Sequence, residues 1–275
     1  MTFTGDKLIE IRDLHFAYGA RKVLSGLDLD IPRGKVVAIL GTSGCGKSTL
    51  LQLIGGALRP ARGTVKVCDR DVHALDREGL YALRRQVGMM FQKGGLFSDL
   101  TVFENVAFPL REHTDLPEDV IADLVKMKLH AVGLRGAHRL YPTELSGGMA
   151  RRVALARAIA LDPDLVIYDE PFAGLDPITL NVICNLIRTL NDALGSTSVV
   201  VTYDVTEAVK LADELFVMGD GRIVGHGPTK DMLASEDPFV RQFLHAQPDG
   251  PVPFHFPAKS IREELDLACP APAAR

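Results

Sequence analysis

No apolar run in this 275-residue sequence approaches the length of about 20 that a membrane-spanning helix needs. The purest stretches, Val36–Leu40 and Val199–Val201, are only a few residues long. Met1 to Arg12 carries Asp6, Lys7 and Glu10 and lacks the apolar segment of a signal peptide. Cysteine is scarce as well. Cys45, Cys68, Cys184 and Cys269 lie far apart with no CxxC pair, which excludes a disulfide framework and a zinc site and fits a reducing compartment. There is no excess of positive charge: 31 Lys and Arg stand against 35 Asp and Glu, a net −4, so nothing electrostatic points to nucleic acid. What is present is core-forming residue. Hydrophobic residues make up 47% and charged ones 24%, the opposite of a disordered composition. Length allows one large domain or two small ones.

Apolar and polar residues alternate through Ile9 and Ile11, and again through Val23, Leu27, Leu29 and Ile31, as half-buried antiparallel strands require. Pro32-Arg33-Gly34 is a turn. Val36–Leu40, Leu165–Tyr168 and Ser198–Thr202 are continuous apolar runs, as in strands buried on both faces. Helical patterns separate or follow them at 47–57, 148–161, 178–194 and 205–211, and this alternation predicts an α/β domain with a parallel sheet. The stretch from about Gly94 to Leu145 carries amphipathic spacing (Val120, Leu124, Met127, Leu129, Val132) without a buried-strand run, and reads as a helical insertion. After Gly221-Arg222-Ile223-Val224 comes a short helix over Pro238–Leu244. The tail that follows holds Pro248, Pro251, Pro253, Pro257, Pro270 and Pro272, which predict extended or disordered chain.

Gly41-Thr42-Ser43-Gly44-Cys45-Gly46-Lys47-Ser48 fits the phosphate-binding pattern GxxxxGK[ST], directly after a buried strand and opening a helix that continues through Thr49. Glycines let the backbone N–H groups converge on one concavity, and the helix N-terminus adds its positive dipole end. Lys47 then reaches the β/γ-phosphates of a nucleotide and the Ser48 hydroxyl ligates Mg²⁺. A chance Gly-rich turn is the alternative. Asp169 and Glu170 close the second buried run. Beside a phosphate site, Asp169 suits Mg²⁺ held through water and Glu170 suits a general base for the attacking water; alone, the pair also suits a strand entering a loop. Leu145-Ser146-Gly147-Gly148-Met149 precedes a helix and is either a second phosphate site or an ordinary cap. Cys45 lies inside the phosphate loop, either as a thiol activated by Lys47 and the helix end or as a small residue that fits.

In order, the phosphate loop, Gln92, LSGG, Asp169-Glu170 and Leu175-Asp176 resemble the ATPase subunit of an ABC transporter, over roughly residues 7–230. That resemblance implies an α/β P-loop NTPase with a RecA-like core, an N-terminal antiparallel β subdomain and an inserted helical subdomain. It sets an ATPase domain over 1–235, with the helical subdomain at about 94–157, and a C-terminal extension over 236–275. It also implies a head-to-tail dimer of two copies. Each ATP then lies between the loop Gly41–Thr49 of one copy and Ser146, Gly147 and Gly148 of the other. Carried over by position, Tyr18 is similar to the aromatic that stacks on adenine, although a plain strand aromatic is the alternative. Gln92, after a strand at Val87–Phe91, resembles the glutamine linking Mg²⁺ and the attacking water to the membrane partner. Asp176 resembles the aspartate that couples the two sites.

Two positions depart from the family pattern. Met149 stands where Gln is commoner, which leaves the Ser and Gly contacts in place. Tyr203 stands where the family normally places a histidine that bonds the γ-phosphate. Tyrosine offers one neutral O–H with a longer reach. It is a natural variant that still donates, the mark of a weakened ATPase, or an engineered substitution; the expectation is intact ATP binding and dimer closure with slowed turnover.

Gly95–Leu110, Leu145–Arg152 and the tail from Asp249 to Phe254 resemble the ATPase of the Mla-type phospholipid transporters of Gram-negative inner membranes, which serve MCE-protein lipid transport and outer-membrane lipid asymmetry. The resemblance implies a peripheral place on the cytoplasmic face of the inner membrane. It also implies a multispanning permease, a STAS-domain subunit and a periplasmic MCE-domain lipid carrier as partners. Leu96, Phe97, Leu100, Phe103 and Phe108 then divide between subdomain core and the grip on the permease. The tail, with Phe254 and Phe256, is expected to dock on the partner copy or the STAS subunit. Another ABC importer or exporter, a soluble ABC protein and a nucleotide-gated subunit with weak hydrolysis are the competing classes.

Overall fold

The computed structural model describes residues 6–92 and 94–252. In chain order its elements are β1 (Lys7–Tyr18), β2 (Arg21–Pro32), β3 (Val36–Gly41), α1 (Lys47–Ile54), β4 (Arg62–Val67), β5 (Arg70–Asp71), α2 (Arg77–Arg84) and β6 (Val87–Met90). Then come α3 (Val102–His113), α4 (Glu118–Ala131), two short 3-10 turns, α5 (Gly147–Ala158), β7 (Leu165–Asp169), α6 (Pro177–Leu194), β8 (Thr197–Thr202), α7 (Val205–Leu211), β9 (Glu214–Gly219), β10 (Arg222–Pro228), α8 (Thr229–Leu233) and α9 (Pro238–Leu244). One compact unit runs to Ala234 and a second begins at Ser235. Within the second, the Gln242 amide exchanges two hydrogen bonds with the backbone of Val252. The docking expected of Phe254 and Phe256 concerns residues outside those described.

Two sheets follow from the two hydrophobic patterns. The alternating segments pair antiparallel as β2-β1-β4-β5. The doubly apolar segments lie inside a six-stranded sheet, β10-β9-β3-β8-β7-β6, parallel except for the edge pair β9–β10. Side chains on a strand alternate between faces, and here the alternation separates two cores. Val37, Ile39, Ile167, Val199 and Val201 join Ile9, Ile11, Leu27 and Leu50 between the two sheets. Val36, Val166, Tyr168 and Val200 point the other way, onto residues of α3, α4, α5 and α6. Between Gly94 and α5 the chain forms no strand, as the missing buried run predicts.

A parallel sheet places the ends of its strands along one edge, and α/β proteins use that edge for ligands. The loop Gly41–Gly46 leaves β3 there. Gln92 follows β6, Asp169 ends β7 with Glu170 directly after it, and Tyr203 follows β8. Residues distant in sequence thereby meet at one edge.

Candidate functional site

The phosphate loop curls because its glycines permit it. A Cβ on Gly41 would sit 2.5 Å from the Met218 carbonyl oxygen, and Gly46 caps α1 at φ 110, a left-handed conformation that disfavours other residues. Lys47 folds back over the loop, its Nζ donating to the carbonyl oxygens of Gly41 (2.8 Å) and Thr42 (3.1 Å). In front lies a cavity of about 330 Å³. Ser43, Gly44, Gly46, Lys47, Ser48 and Thr49 form its floor, and Tyr18, Gln92, Glu170 and Tyr203 stand around it. Tyr18, half exposed, packs edge-on against Phe16 and offers its ring to this space.

Asp169 and Glu170 stand beside the loop in low-dielectric surroundings. Burial pushes both carboxyl groups above the ordinary carboxylate range, and Lys47 opposes the shift in each. Glu170 is only 8% exposed and sits at φ 47, its backbone N–H donating to the Val201 carbonyl at 2.8 Å. Its Oε2 accepts from the Thr202 hydroxyl at 3.1 Å and from the Tyr203 N–H at 3.4 Å. Asp169 Oδ1 is buried with no hydrogen-bond partner among the described residues. A bare carboxylate oxygen facing the Lys47 charge fits a divalent ion that draws most of its ligands from phosphate and water. No group of three or more His, Cys, Asp or Glu among the described residues makes a protein-only cage.

The segment bearing Gln92 is held from α5. Arg151 donates to the carbonyl oxygens of Phe91 (3.4 Å) and Ala173 (3.3 Å), and Arg157 to those of Gly94 and Gly95 (2.8 Å each). Arg157 also lies over the Phe97 ring. Beyond this point a second cavity, of about 430 Å³, is lined by Phe91, Phe97, Phe108, Pro109 and His113. Phe97 and Phe108 are partly in solvent and touch each other, whereas Leu96 and Phe103 pack against the helical core.

Eight predicted site residues do not line the nucleotide-sized cavity of their own chain: Gly41, Thr42, Cys45 and Asp169, which adjoin residues that do, and Ser146, Gly147, Gly148 and Asp176, which lie far from them in sequence. Ser146 caps α5, accepting the Met149 N–H. Asp176 caps α6, accepting the N–H groups of Ile178 and Thr179. A Cβ on Gly148 would lie 2.4 Å from the Thr179 methyl, so the two helix starts pack closely. Cys45 is buried, and desolvation raises its thiol despite Lys47, which favours the small packing residue over the activated thiol. Sequence reasoning missed Arg21 and Val23, which line the cavity, and Thr202. The signal for Arg21 was its place three residues after Tyr18, at the start of β2.

A strand-loop-helix phosphate cradle, a lysine over it and two carboxylates beside it, Glu170 buried and Asp169 half-buried, define a P-loop nucleotide-binding site. The comparisons narrow the class. Residues 24–173 match the ABC transporter family. The "Intermembrane phospholipid transport system ATP-binding protein MlaF" of Escherichia coli (strain K12) is 52% identical over 258 residues, 94% of this chain and 96% of that protein. Among solved structures, cbiO1 from Clostridium perfringens, described as part of the ABC transporter complex cbiONQ, superposes with a TM-score of 0.78 at 32% identity, covering 87% of this chain and 96% of that one. A dimeric post-hydrolysis state of the ATP-binding cassette MJ0796, bound to ADP and Pi, gives 0.74 at 30% identity over 80% of this chain and 98% of that one. The chain belongs to the ABC transporter family and is an ATPase of that class. Among the described residues no helix is long and apolar enough to cross a membrane.

Proposed function

We propose that this chain is the ATPase of a phospholipid transporter working between the inner and outer membranes of a Gram-negative cell, peripheral on the cytoplasmic face of the inner one. The observation that carries the reading is the assembled cavity of Ser43, Gly44, Gly46–Thr49, Gln92 and Glu170 in a chain 52% identical to the MlaF protein over almost all of both sequences. In this reading Tyr18 stacks on adenine and the loop amides and Lys47 hold the phosphates; Ser48, Gln92 and Asp169 would hold Mg²⁺, which would supply positive charge beside the phosphate oxygens. Glu170 accepts the proton of the water that attacks the γ-phosphorus. The bond to the β-phosphate oxygen breaks, releasing ADP and phosphate. A carboxylate whose pKa lies above its ordinary value is a better base for that proton.

The domain reading stays as proposed from sequence: an ATPase domain over 1–235 with a helical subdomain at about 94–157, and an extension beyond. Two copies close head to tail on two ATP. Support comes from Ser146–Gly148 and Asp176, which sit away from their own chain's cavity, and from Ile178 beside them, an apolar side chain 79% exposed. The aromatic-lined cavity at Phe91, Phe97 and Phe108 would receive a multispanning permease, with STAS-domain and MCE-domain subunits completing the assembly. Tyr203 at the cavity rim favours a second reading, slow hydrolysis that serves mainly to gate. Purification of the full chain from its native membrane tests the proposal: co-purifying permease, STAS and MCE subunits are expected, and a permease of another substrate class without an MCE subunit overturns it.

A further inference from the structure

Thr202, the last residue of β8, is 1% exposed and makes two hydrogen bonds of opposite sense. Its Oγ1 accepts the backbone N–H of Asp204 at 3.0 Å and donates to Glu170 Oε2 at 3.1 Å. A hydroxyl has one proton. With Asp204 as the donor to this oxygen and Glu170 the acceptor within reach, that proton points at the carboxylate. The end of β8 therefore grips Glu170 three times: Val201 through the Glu170 backbone N–H, and Thr202 and Tyr203 through Oε2. Of the two bonds to the carboxylate, the hydroxyl bond is the shorter and the only one from a side chain. Three rotatable bonds lie between the Glu170 backbone and its carboxylate oxygens, so the backbone contact alone does not set where the oxygens lie.

We infer that Thr202 is a positioning residue for ATP hydrolysis, its hydroxyl holding Oε2 so that the other carboxylate oxygen is aimed into the cavity. The inference rests on the reading of Glu170 as the base. It also explains why a β-branched strand residue of this kind serves here: Thr keeps the strand conformation that Val would have and adds the one donor the carboxylate needs. The groups facing Glu170 are Lys47 from α1, Asp169 from β7, and Thr202 and Tyr203 from the end of β8.

The test uses the full chain and measures steady-state ATP hydrolysis, ATP affinity and thermal stability together. Thr202→Val, similar in shape but without the hydroxyl, is expected to lower kcat about tenfold with ATP affinity unchanged, because an oriented charge-assisted bond is lost. Thr202→Ser keeps the hydroxyl and is expected to restore turnover to within about twofold of the parent. Where the valine variant does not fold, Thr202→Cys takes its place with the same expectation of slowed turnover. Wild-type kcat in the valine or cysteine variant overturns the inference. So does a serine variant as slow as either, or a loss that appears in ATP affinity alone. Glu170→Gln separates the layers. If that variant still turns over, the reading of Glu170 fails and takes the inference with it. If it is inactive while Thr202→Val is normal, only the inference fails.

Discussion

Replacing Tyr203 with histidine tests how far one side chain sets the rate. Tyr203 stands 55% exposed at the cavity rim, and its hydroxyl has no partner among the described residues. Its hydrogen bond to Glu170 comes from the backbone N–H, which the substitution keeps. The substitution therefore removes no packing of consequence, and stability should stay within about 0.5 kcal/mol. Histidine is what the family normally carries here, and it adds a ring N–H able to donate to the γ-phosphate. A hydrogen bond to a charged group contributes about 1.5–3 kcal/mol. The site is open to solvent on this side, so the lower figure applies. If the bond forms fully only in the transition state, about 1.5 kcal/mol corresponds to a rise in kcat of about tenfold. A coupled assay of phosphate release, run beside an ATP-affinity measurement, reads the two apart. An unchanged or lower kcat in a folded Tyr203→His chain would refute the reasoning and show that the tyrosine is as good a group here as the imidazole.

Two further outcomes follow from packing and burial. Asn105, fully buried, accepts the Phe97 N–H at 2.9 Å and donates to the carbonyl oxygens of Phe97, Leu100 and Thr101 at 3.0–3.1 Å. Asn105→Leu should therefore lower the unfolding free energy in urea by about 2–4 kcal/mol, and a loss under about 1 kcal/mol would count against the role given to this amide. Burial raises the Cys68 thiol to about 11 and the Cys184 thiol to about 12, with Cys45 also raised. Iodoacetamide at about pH 8 should leave all three untouched in the native chain and label them in urea, as mass spectrometry will show; native labelling of Cys45 would reopen the activated-thiol alternative.

Much of this site was legible because its residue types are constrained locally. Only a glycine-rich turn after a buried strand makes the cradle at Gly41–Gly46, and only a charged pair ending another buried strand makes Asp169 and Glu170. The doubly apolar runs at β3, β7 and β8 announced the parallel sheet for the same reason. Other parts were not legible because their signal is nonlocal. The β4 segment Arg62–Val67 shows just two inward residues, Val65 and Val67, and is a strand because β1 lies beside it. The four apolar residues Leu215–Met218 of β9 cannot be told by periodicity from the end of a helix. The short helix α8 has too few residues to show a period. Thr202 lacks any motif, and its relation to the cavity exists only once the strands are laid side by side. The reverse holds for Ser146 and Asp176: motif order marks them as site residues, while within one chain each is a helix cap.

The three central strands have a consequence for how the molecule comes apart. Because β3, β7 and β8 each send alternate side chains into both hydrophobic cores, neither core can melt while the other keeps its strands. The amides of these strands then have no partial opening available, and they exchange with solvent only when the whole sheet is lost. The edge that carries Gly41, Asp169, Glu170 and Thr202 is thus drawn from the last part of the protein to loosen. The helices α3 and α4, which touch only one core, can breathe against it without disturbing that edge.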